Sequence, residues 1–322
     1  MEHIRLYEEG EYQYAGAFGF IPTLTMYLRE DAAEALPLVL VVPGGGYRVV
    51  SPTEGEIVAK RFCRLGYHAA VLTYTTNLVG IAPLKGLPLE DLERALVFLK
   101  EHAKEWKVDA ERLIVCGFSA GAHLAGTACV HGKIRPAAAI LSYPVITSGQ
   151  YAHRDSFTAL LGEDASQEEL DYYSLEKQVD DKTPPCFLWQ TATDDLVPVE
   201  NSYLFAEALK KAGVPFAHHV FSHGQHGLSL SNEEWASGKF GEPYTMDQNM
   251  RVVDAVKNGT ISLPEPARSE LIRQFSGGAG VRTGRSGPGG SGMAGAGGCL
   301  PAVLSGVRTA GIRMGTDLEV RR

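Results

Sequence analysis

Apolar runs alternate with segments of helical periodicity along most of the chain. The apolar runs predict buried strands at 38–42, 69–74, 113–116, 137–143 and 186–189. Helices are predicted at 55–65, at 120–130, at 246–257 and from Pro88 to about Trp106. Strands that alternate with helices are typical of a mostly parallel sheet with helices on both faces. The pattern therefore predicts an α/β fold, with edge strands expected within 12–29.

The predicted strand 113–116 leads directly into Gly117-Phe118-Ser119-Ala120-Gly121. A serine between small neighbours, after a strand and before a helix, has the pattern of a nucleophile elbow, in which a sharp, strained turn exposes the hydroxyl. Gly117 and Gly121 supply the room that this turn requires. We therefore predict that Ser119 is a catalytic nucleophile, because the flanking strand and helix make the match more specific than the five-residue motif alone.

An acidic pair, Asp194 and Asp195, follows the predicted strand 186–189. A catalytic serine needs a base that takes its proton and a carboxylate that orients this base. Asp194 is the predicted orienting acid. Two residues separate it from Val197-Pro198, and this sequence spacing is common among serine hydrolases of this kind. Asp195 is expected either to face solvent or to cap a helix that begins near Val199.

Two histidines compete for the role of the base. His226 lies between Gly224 and Gly227, in a turn that can bring an imidazole over the serine. His223 lies nearer the end of a short alternating strand, where packing or hydrogen bonding is the expected role. We predict that His226 is the base.

A glycine-rich loop, Pro43-Gly44-Gly45-Gly46-Tyr47, follows the first buried strand. Its glycines leave backbone amides open to a substrate oxygen, and a tetrahedral intermediate needs such donors. Gly45 and Gly46, together with Ala120 of the elbow, are the predicted oxyanion hole. A tight turn or a phosphate-binding loop is the alternative, although the Lys-Ser/Thr ending and the G-x-G-x-x-G spacing are missing. Tyr47 is a candidate for substrate binding, or it fills space below a cap.

Taken together, these motifs resemble the bacterial acetylesterases, including acetyl xylan esterase-like enzymes, of the α/β-hydrolase superfamily. The matching segments are Pro43–Tyr47, Gly117–His123, Asp194–Ser202 and His223–Leu228, and the resemblance spans roughly 39–230. It implies an α/β-hydrolase fold, in which the serine, the acid and the base follow in this order along the chain. Pro43 stands where many related lipases and esterases have histidine, although proline also occurs in this group.

The resemblance also implies a function. Ser119, Asp194 and His226 match the nucleophile, acid and base of the family, and Gly45 and Ala120 match its oxyanion donors. Such an enzyme hydrolyses short-chain acyl esters, most directly acetyl esters of sugars or xylo-oligosaccharides, and requires no cofactor. One alternative is a prolyl-oligopeptidase-like peptidase, but the sequence shows no pattern for the amine-recognition site that it would need. The other is a non-catalytic binding protein, and such proteins usually lack a triad residue.

Residues 148–181 interrupt the alternation of strands and helices with polar and aromatic residues. An insertion at this place commonly covers the site in α/β hydrolases, so we predict a small cap. Its aromatic residues either contact substrate or pack on the core; they are Tyr151, Phe157, Tyr172 and Tyr173. His123, one turn after Ser119, is predicted to be structural, because a helix residue there points into the packing.

Composition limits the expected partners and the compartment. The chain has 322 residues, of which 44% are hydrophobic, enough for one sizeable core. A net charge of −8 without a long basic run argues against nucleic acid and anionic membranes, and it suits a small-molecule ester. The missing signal-peptide pattern and five scattered cysteines predict a cytoplasmic location with reduced thiols. No metal-binding spacing occurs, and a homo-oligomer is left open.

The end of the chain has a different composition. Residues 277–322 are rich in Gly, Ser and Arg and hold 14 of the 36 glycines. Such a segment cannot bury a core, which predicts disorder, and the abrupt change suggests a frameshift or an unusual extension. The predicted organisation is a hydrolase domain at 1–275, with its cap at about 148–181, and a Gly-rich tail at 276–322.

Overall fold

The computed structural model describes residues 2–276, and one eight-stranded sheet runs through this part of the chain. The strands are β1 (Glu2–Arg5), β2 (Thr23–Tyr27), β3 (Leu36–Val42), β4 (His68–Thr73), β5 (Val108–Phe118), β6 (Ala138–Ser142), β7 (Cys186–Thr191) and β8 (Phe216–Phe221). Their order is β1-β2-β4-β3-β5-β6-β7-β8. Strands β3 to β8 are parallel, and β1 and β2 are added antiparallel at one edge. The predicted, mostly parallel sheet is confirmed.

Helices cover both faces of the sheet. The helices of the described residues are α1 (Glu56–Arg64), α2 (Leu87–Glu101), α3 (Ala120–His131), α4 (Arg154–Leu161), α5 (Gln167–Tyr172), α6 (Glu200–Lys211), α7 (Glu233–Ala236), α8 (Asp247–Lys257) and α9 (Ala267–Ser276). Because successive strand residues face opposite sides, Leu40 packs in a core with Leu96 of α2, and Val41 packs in a second core with Phe62 of α1. The predicted helical layers on both faces are therefore confirmed.

Two boundaries differ from the sequence-based prediction. Strand β5 begins at Val108, five residues before the predicted run. Helix α2 ends at Glu101 instead of near Trp106. The chain turns here because the rings of Phe98, His102 and Trp106 stack in succession, and Lys107 adopts a left-handed conformation with φ of 51°. Apolar spacing alone cannot separate such a turn from a last helical turn.

The parallel strands bring distant parts of the chain to one edge of the sheet. The loops that follow β3, β5, β7 and β8 all leave from the carboxyl ends of parallel strands. In open α/β sheets, ligands bind at this edge. The glycine-rich loop, Ser119, Asp194 and His226 stand in these four loops.

The insertion predicted at 148–181 lies between β6 and β7 and contains α4 and α5. Helix α4 packs against α3, where the ring of Phe157 lies 5.4 Å from that of His123. Except for Ser276, the tail predicted at 276–322 lies outside the described residues. Across residues 2–276, none of the helices has the length and apolar character required to cross a membrane.

Candidate active site

The nucleophile elbow forms where β5 turns into α3. Ser119 has φ of 53° and ψ of −120°, a strained conformation for a residue with a side chain. A Cβ atom at Gly121 would lie 2.2 Å from the carbonyl oxygen of Val42, and one at Gly117 would lie 2.5 Å from the carbonyl oxygen of Gly121. Only glycine fits at these two positions, so the local sequence determines the sharp turn that presents Ser119.

The structure brings the three predicted triad residues together. The Nε2 atom of His226 lies 2.8 Å from the Oγ atom of Ser119. The Nδ1 atom of His226 lies 2.8 Å from Oδ2 and 3.1 Å from Oδ1 of Asp194. The side chain of Asp194 is fully buried, whereas 12% of the His226 side chain is exposed. With Nδ1–H donating to the carboxylate, Nε2 is free to accept the serine proton.

Backbone amides hold the Asp194 carboxylate in place. Its Oδ1 atom accepts hydrogen bonds from the amides of Leu196 at 3.0 Å and Val197 at 2.9 Å. The neighbouring Asp195 is exposed and accepts a 3.0 Å hydrogen bond from the amide of His226. It caps no helix, since α6 begins at Glu200 without a side-chain cap. Asp194 therefore contacts the imidazole of His226, whereas Asp195 contacts the backbone of the same residue.

The loop that carries His226 is attached to the loop after β7. The hydroxyls of Thr191 and Thr193 donate to the carbonyl of Gly224 at 2.9 and 3.0 Å, and the amide of Gly224 donates back to Thr193 at 2.9 Å. Gly224 has φ of 152°, and a Cβ atom there would lie 2.6 Å from Thr191. His223 is exposed and forms no hydrogen bond with any part of the chain that the structure describes.

The glycine-rich loop lies against the nucleophile elbow. Gly45 and Gly46 have φ of 122° and 64°, and the carbonyl of Gly45 accepts hydrogen bonds from the amides of Arg48 and Val49. Within residues 2–276, the amides of Gly45, Gly46 and Ala120 donate no hydrogen bond. These unpaired donors have the chemistry of an oxyanion hole. Gly44 differs, because its amide is already bonded to Glu54.

Glu54 is a buried residue of the site that the sequence did not single out. Its side chain lies below the glycine loop with 4% exposure, and it accepts hydrogen bonds from the Gly44 amide and the Tyr143 hydroxyl. Burial raises the pKa of this carboxyl, while the bonds from Tyr143 and Gly44 oppose the increase. In the run Thr53-Glu54-Gly55-Glu56, no periodicity separates Glu54 from its acidic neighbour, so only the tertiary contacts identify it.

His153 is a second residue that the sequence did not identify. Its Cε1 atom lies 3.9 Å from the position that a Cβ atom of Gly46 would occupy, which places the ring against the glycine loop. Its Nδ1 atom lies 2.8 Å from the Ser156 hydroxyl. Burial lowers the pKa of His153. A lone histidine in an insertion carries no motif by which the sequence could reveal it.

Tyr47 requires a correction. We predicted it as a candidate for substrate binding, but its side chain is 1% exposed, and its hydroxyl lies 2.8 Å from Nδ1 of His123. The Nε2 atom of His123 lies 2.8 Å from the carbonyl oxygen of Tyr173. Both residues belong to the packing between the glycine loop, α3 and the insertion. Tyr47 therefore fills space, which was the alternative role, and His123 is structural, as predicted.

The aromatic residues of the insertion do not form a common surface at the site. Phe157 and Tyr173 are buried against His123. Tyr172 is 44% exposed and stacks on His131 at a ring distance of 3.8 Å. His131 ends α3, which starts at the elbow, so twelve residues of helix separate this pair from the serine by about 18 Å. Tyr172 thus lies away from the nucleophile, and a contact with substrate stays a prediction. Among residues 2–276, no group of His, Cys, Asp and Glu is arranged to hold a metal ion.

Two family models match this chain. The BD-FAE model matches residues 24–139, which include the glycine loop and the elbow. The model of the prolyl oligopeptidase family matches residues 83–237, which include Ser119, Asp194 and His226.

Several known proteins are similar to the chain. It is 47% identical over 264 residues to endo-1,4-beta-xylanase B of Butyrivibrio fibrisolvens, which covers 78% of this chain and 41% of that protein. It is 28% identical over 200 residues to an acetylxylan esterase of Xylanibacter ruminicola, with coverages of 60% and 41%. The chain thus spans about two fifths of the length of these curated relatives. The crystal structure of the acetyl ester-xyloside bifunctional hydrolase from Caldicellulosiruptor lactoaceticus matches with 35% identity and a TM-score of 0.67, over 81% of this chain and 97% of that one.

Proposed function

The chain belongs to the α/β-hydrolase superfamily, in its acetylesterase and acetyl xylan esterase-like family of serine ester hydrolases, and we propose that it hydrolyses short-chain acyl esters, most directly acetyl esters of sugars or xylo-oligosaccharides. One observation carries the proposal. A continuous hydrogen-bonded chain runs from Ser119 through His226 to Asp194, beside the unpaired amides of Gly45, Gly46 and Ala120. This arrangement suits acyl transfer.

In the first half of the proposed reaction, Ser119 Oγ attacks the acyl carbon while Nε2 of His226 takes its proton. The charge on His226 is stabilised by Asp194, whose carboxylate is held by two backbone amides and is therefore oriented before the reaction starts. Negative charge develops on the former carbonyl oxygen, where the amides of the glycine loop and Ala120 donate hydrogen bonds. Preorganised donors of this kind contribute about 3–4 kcal/mol each to lowering the barrier.

The first half ends when His226 returns its proton to the leaving alcohol and an acyl-enzyme remains on Ser119. In the second half, a water molecule attacks the acyl carbon while His226 takes its proton. His226 then gives this proton to the Oγ atom of Ser119 as the carboxylic acid leaves, which restores the free enzyme. The first proton transfer uses groups that already lie 2.8 Å apart, Ser119 Oγ and His226 Nε2, and the proposed reaction involves no cofactor.

The proposed substrate class is supported by two of the relatives, an acetylxylan esterase and an acetyl ester-xyloside hydrolase. A cytoplasmic location stays a prediction. In that compartment, the substrate would be an imported acetylated oligosaccharide rather than polymeric xylan. A homo-oligomer likewise stays an open expectation.

A peptidase of the prolyl-oligopeptidase type is the second candidate, because the model of that family covers residues 83–237. The matched region contains the whole triad, which esterases and peptidases share, and therefore does not favour one substrate over the other. The deciding difference lies in what the site recognises around the scissile bond.

A substrate panel tests the proposal. Hydrolysis of 4-nitrophenyl acetate and 4-nitrophenyl butyrate compares acyl groups at a constant leaving group, and acetate release from acetylated xylobiose tests the sugar. We expect kcat/KM to be at least about tenfold higher for the acetate than for the butyrate, and we expect deacetylation of xylobiose. A glycyl-prolyl 4-nitroanilide cleaved faster than all three esters would contradict the esterase proposal in favour of the peptidase.

A further inference from the structure

Glu54 connects three separate loops of the site. Its Oε2 atom accepts a 2.7 Å hydrogen bond from the amide of Gly44, in the glycine loop. Its Oε1 atom accepts a 2.6 Å hydrogen bond from the hydroxyl of Tyr143, which directly follows β6. The same hydroxyl oxygen accepts a 3.1 Å hydrogen bond from the amide of Ser229, three residues after His226. One carboxyl group thus links the oxyanion loop to the loop of the catalytic base.

We propose that Glu54 is a positioning residue, a buried carboxylate that fixes the oxyanion loop relative to Ser119 and His226. The inference rests on the proposed serine ester hydrolysis. It assigns Glu54 no contact with substrate, since its 4% exposed side chain lies below the loop, and its effect passes through Gly44 and Tyr143.

The contact with Gly44 matters because the loop and the elbow touch at this residue. A Cβ atom at Gly44 would lie 2.6 Å from the carbonyl oxygen of Phe118 and 2.9 Å from Cβ of Ser119. Gly45 and Gly46, which carry the unpaired amides, follow directly. A shift of Gly44 therefore changes the distance between these donors and the developing oxyanion, and a misplacement of about 1 Å is enough to cost two orders of magnitude in rate.

The contact with Tyr143 reaches the base. The ring of Tyr143 lies 4.9 Å from the ring of His226, with an angle of 70° between the planes. Tyr143 has φ of 37°, an unfavourable conformation, and the bonds of its hydroxyl to Glu54 and Ser229 help to hold it.

Stability alone does not explain a carboxylate at this place. Burial of a charge is costly, and an apolar pair of similar volume is often as stable as a buried ionic or charge-assisted contact. A carboxylate, however, accepts hydrogen bonds from two loops at once, and such bonds are about twice as strong as neutral ones. The carboxylate therefore holds the two loops in a more precise relative position, and catalysis depends on that position.

Two variants and one matched control test the inference. Glu54→Gln keeps the size of the side chain but removes the charge and one of the two acceptors. Tyr143→Phe removes only the hydroxyl. Asp91→Asn is the control, because Asp91 is also fully buried and accepts hydrogen bonds from a tyrosine hydroxyl, Tyr7, and a backbone amide, Thr75, yet it contacts no triad or oxyanion residue.

The readouts are kcat and KM for 4-nitrophenyl acetate and the rate at which a fluorophosphonate modifies Ser119. We expect Glu54→Gln to lower kcat at least about tenfold and Tyr143→Phe about threefold to tenfold, with KM within about threefold, because the lost positioning acts on the transition state. The phosphonylation rate should fall in parallel. Asp91→Asn should retain kcat within about twofold although it loses a comparable buried contact.

The inference would be overturned by a Glu54→Gln variant with kcat within twofold of the wild type, or by an equal loss in Asp91→Asn. If Glu54→Gln does not fold, Tyr143→Phe decides, and unchanged kcat in that variant contradicts the inference. A wild type that reacts with the phosphonate but cleaves no ester would contradict the proposed function alone, and the phosphonylation rates of the variants would still decide the role of Glu54.

Discussion

Two histidines next to the elbow have opposite surroundings. His226 lies in a loop between a carboxylate and the serine hydroxyl, and part of its ring is open to solvent. His123 lies on α3 among buried rings, where its neighbours are a tyrosine hydroxyl and a carbonyl oxygen rather than a carboxylate. Burial lowers the pKa of His123 to about 4, so this imidazole stays neutral and structural.

The neutral His123 predicts a specific pH dependence of stability. In the unfolded chain the imidazole binds a proton below about pH 6.5, whereas in the folded protein it does so only below about 4. Stability is therefore lost as the pH falls through this interval. Between pH 7.5 and pH 5, we expect the wild type to lose about 2 kcal/mol more free energy of unfolding than His123→Gln, as measured by urea denaturation. Equal losses in the two proteins would refute this account of His123.

From the sequence alone, the role of a single residue can be assigned only where its spacing from nearby residues defines that role. Spacing selected Asp194 and His226 over their neighbours, and the structure places those two side chains in contact with each other. The same spacing could not reveal Glu54 or His153, because their roles depend on contacts with residues 44, 46 and 143 in other segments. Tyr47 was assigned to the substrate side for the same reason: adjacency along the chain does not determine which way a side chain points.

Among the elements of the site, the glycine loop is under a tight steric constraint. Gly45 has φ of 122°, and a Cβ atom there would lie 2.3 Å from the carbonyl oxygen of Val49. That carbonyl is backbone, so the contact can be relieved only by a movement of the loop, which displaces the amides of Gly45 and Gly46. Their position relative to Ser119 is what the proposed oxyanion hole requires.

Gly45→Ala is therefore expected to lower kcat for 4-nitrophenyl acetate by about 10²-fold, the size of an oxyanion-hole defect. Gly66→Ala is the matched control, since Gly66 also has a positive φ, of 97°, but no atom lies within 4 Å of its would-be Cβ. The control should lose about 1 kcal/mol of stability from backbone strain and keep its kcat within about twofold. Similar kcat values for the two variants would show that the loop does not position the catalytic donors.

Strands could be predicted from the sequence where consecutive residues are buried. Strand β3 is apolar throughout, and β7 begins with the apolar run Cys186–Trp189, because both faces of a central parallel strand are covered. The end of α2 was not predictable, since stacking of Phe98, His102 and Trp106 turns the chain where the spacing continues. Strand β1 was missed because its exposed residues carry no core pattern.

At the scale of the whole molecule, the parallel sheet explains how a triad can be assembled from distant residues. Ser119 and His226 are separated by 107 positions, and the glycine loop precedes Ser119 by more than 70, yet each follows a strand of the same direction. Right-handed crossovers return every strand end to one edge, where the loops meet. The order of motifs therefore predicted their convergence, although it could not predict distances.

The role of Ser119 as the nucleophile of an ester hydrolase is tested most directly by 4-nitrophenyl acetate hydrolysis. The wild type and Ser119→Ala are compared in parallel preparations with matching circular dichroism spectra. We predict turnover by the wild type and a loss of at least about 10³-fold in kcat/KM for the variant. A folded Ser119→Ala variant that retains the wild-type rate, or a folded wild type without activity, would contradict the account.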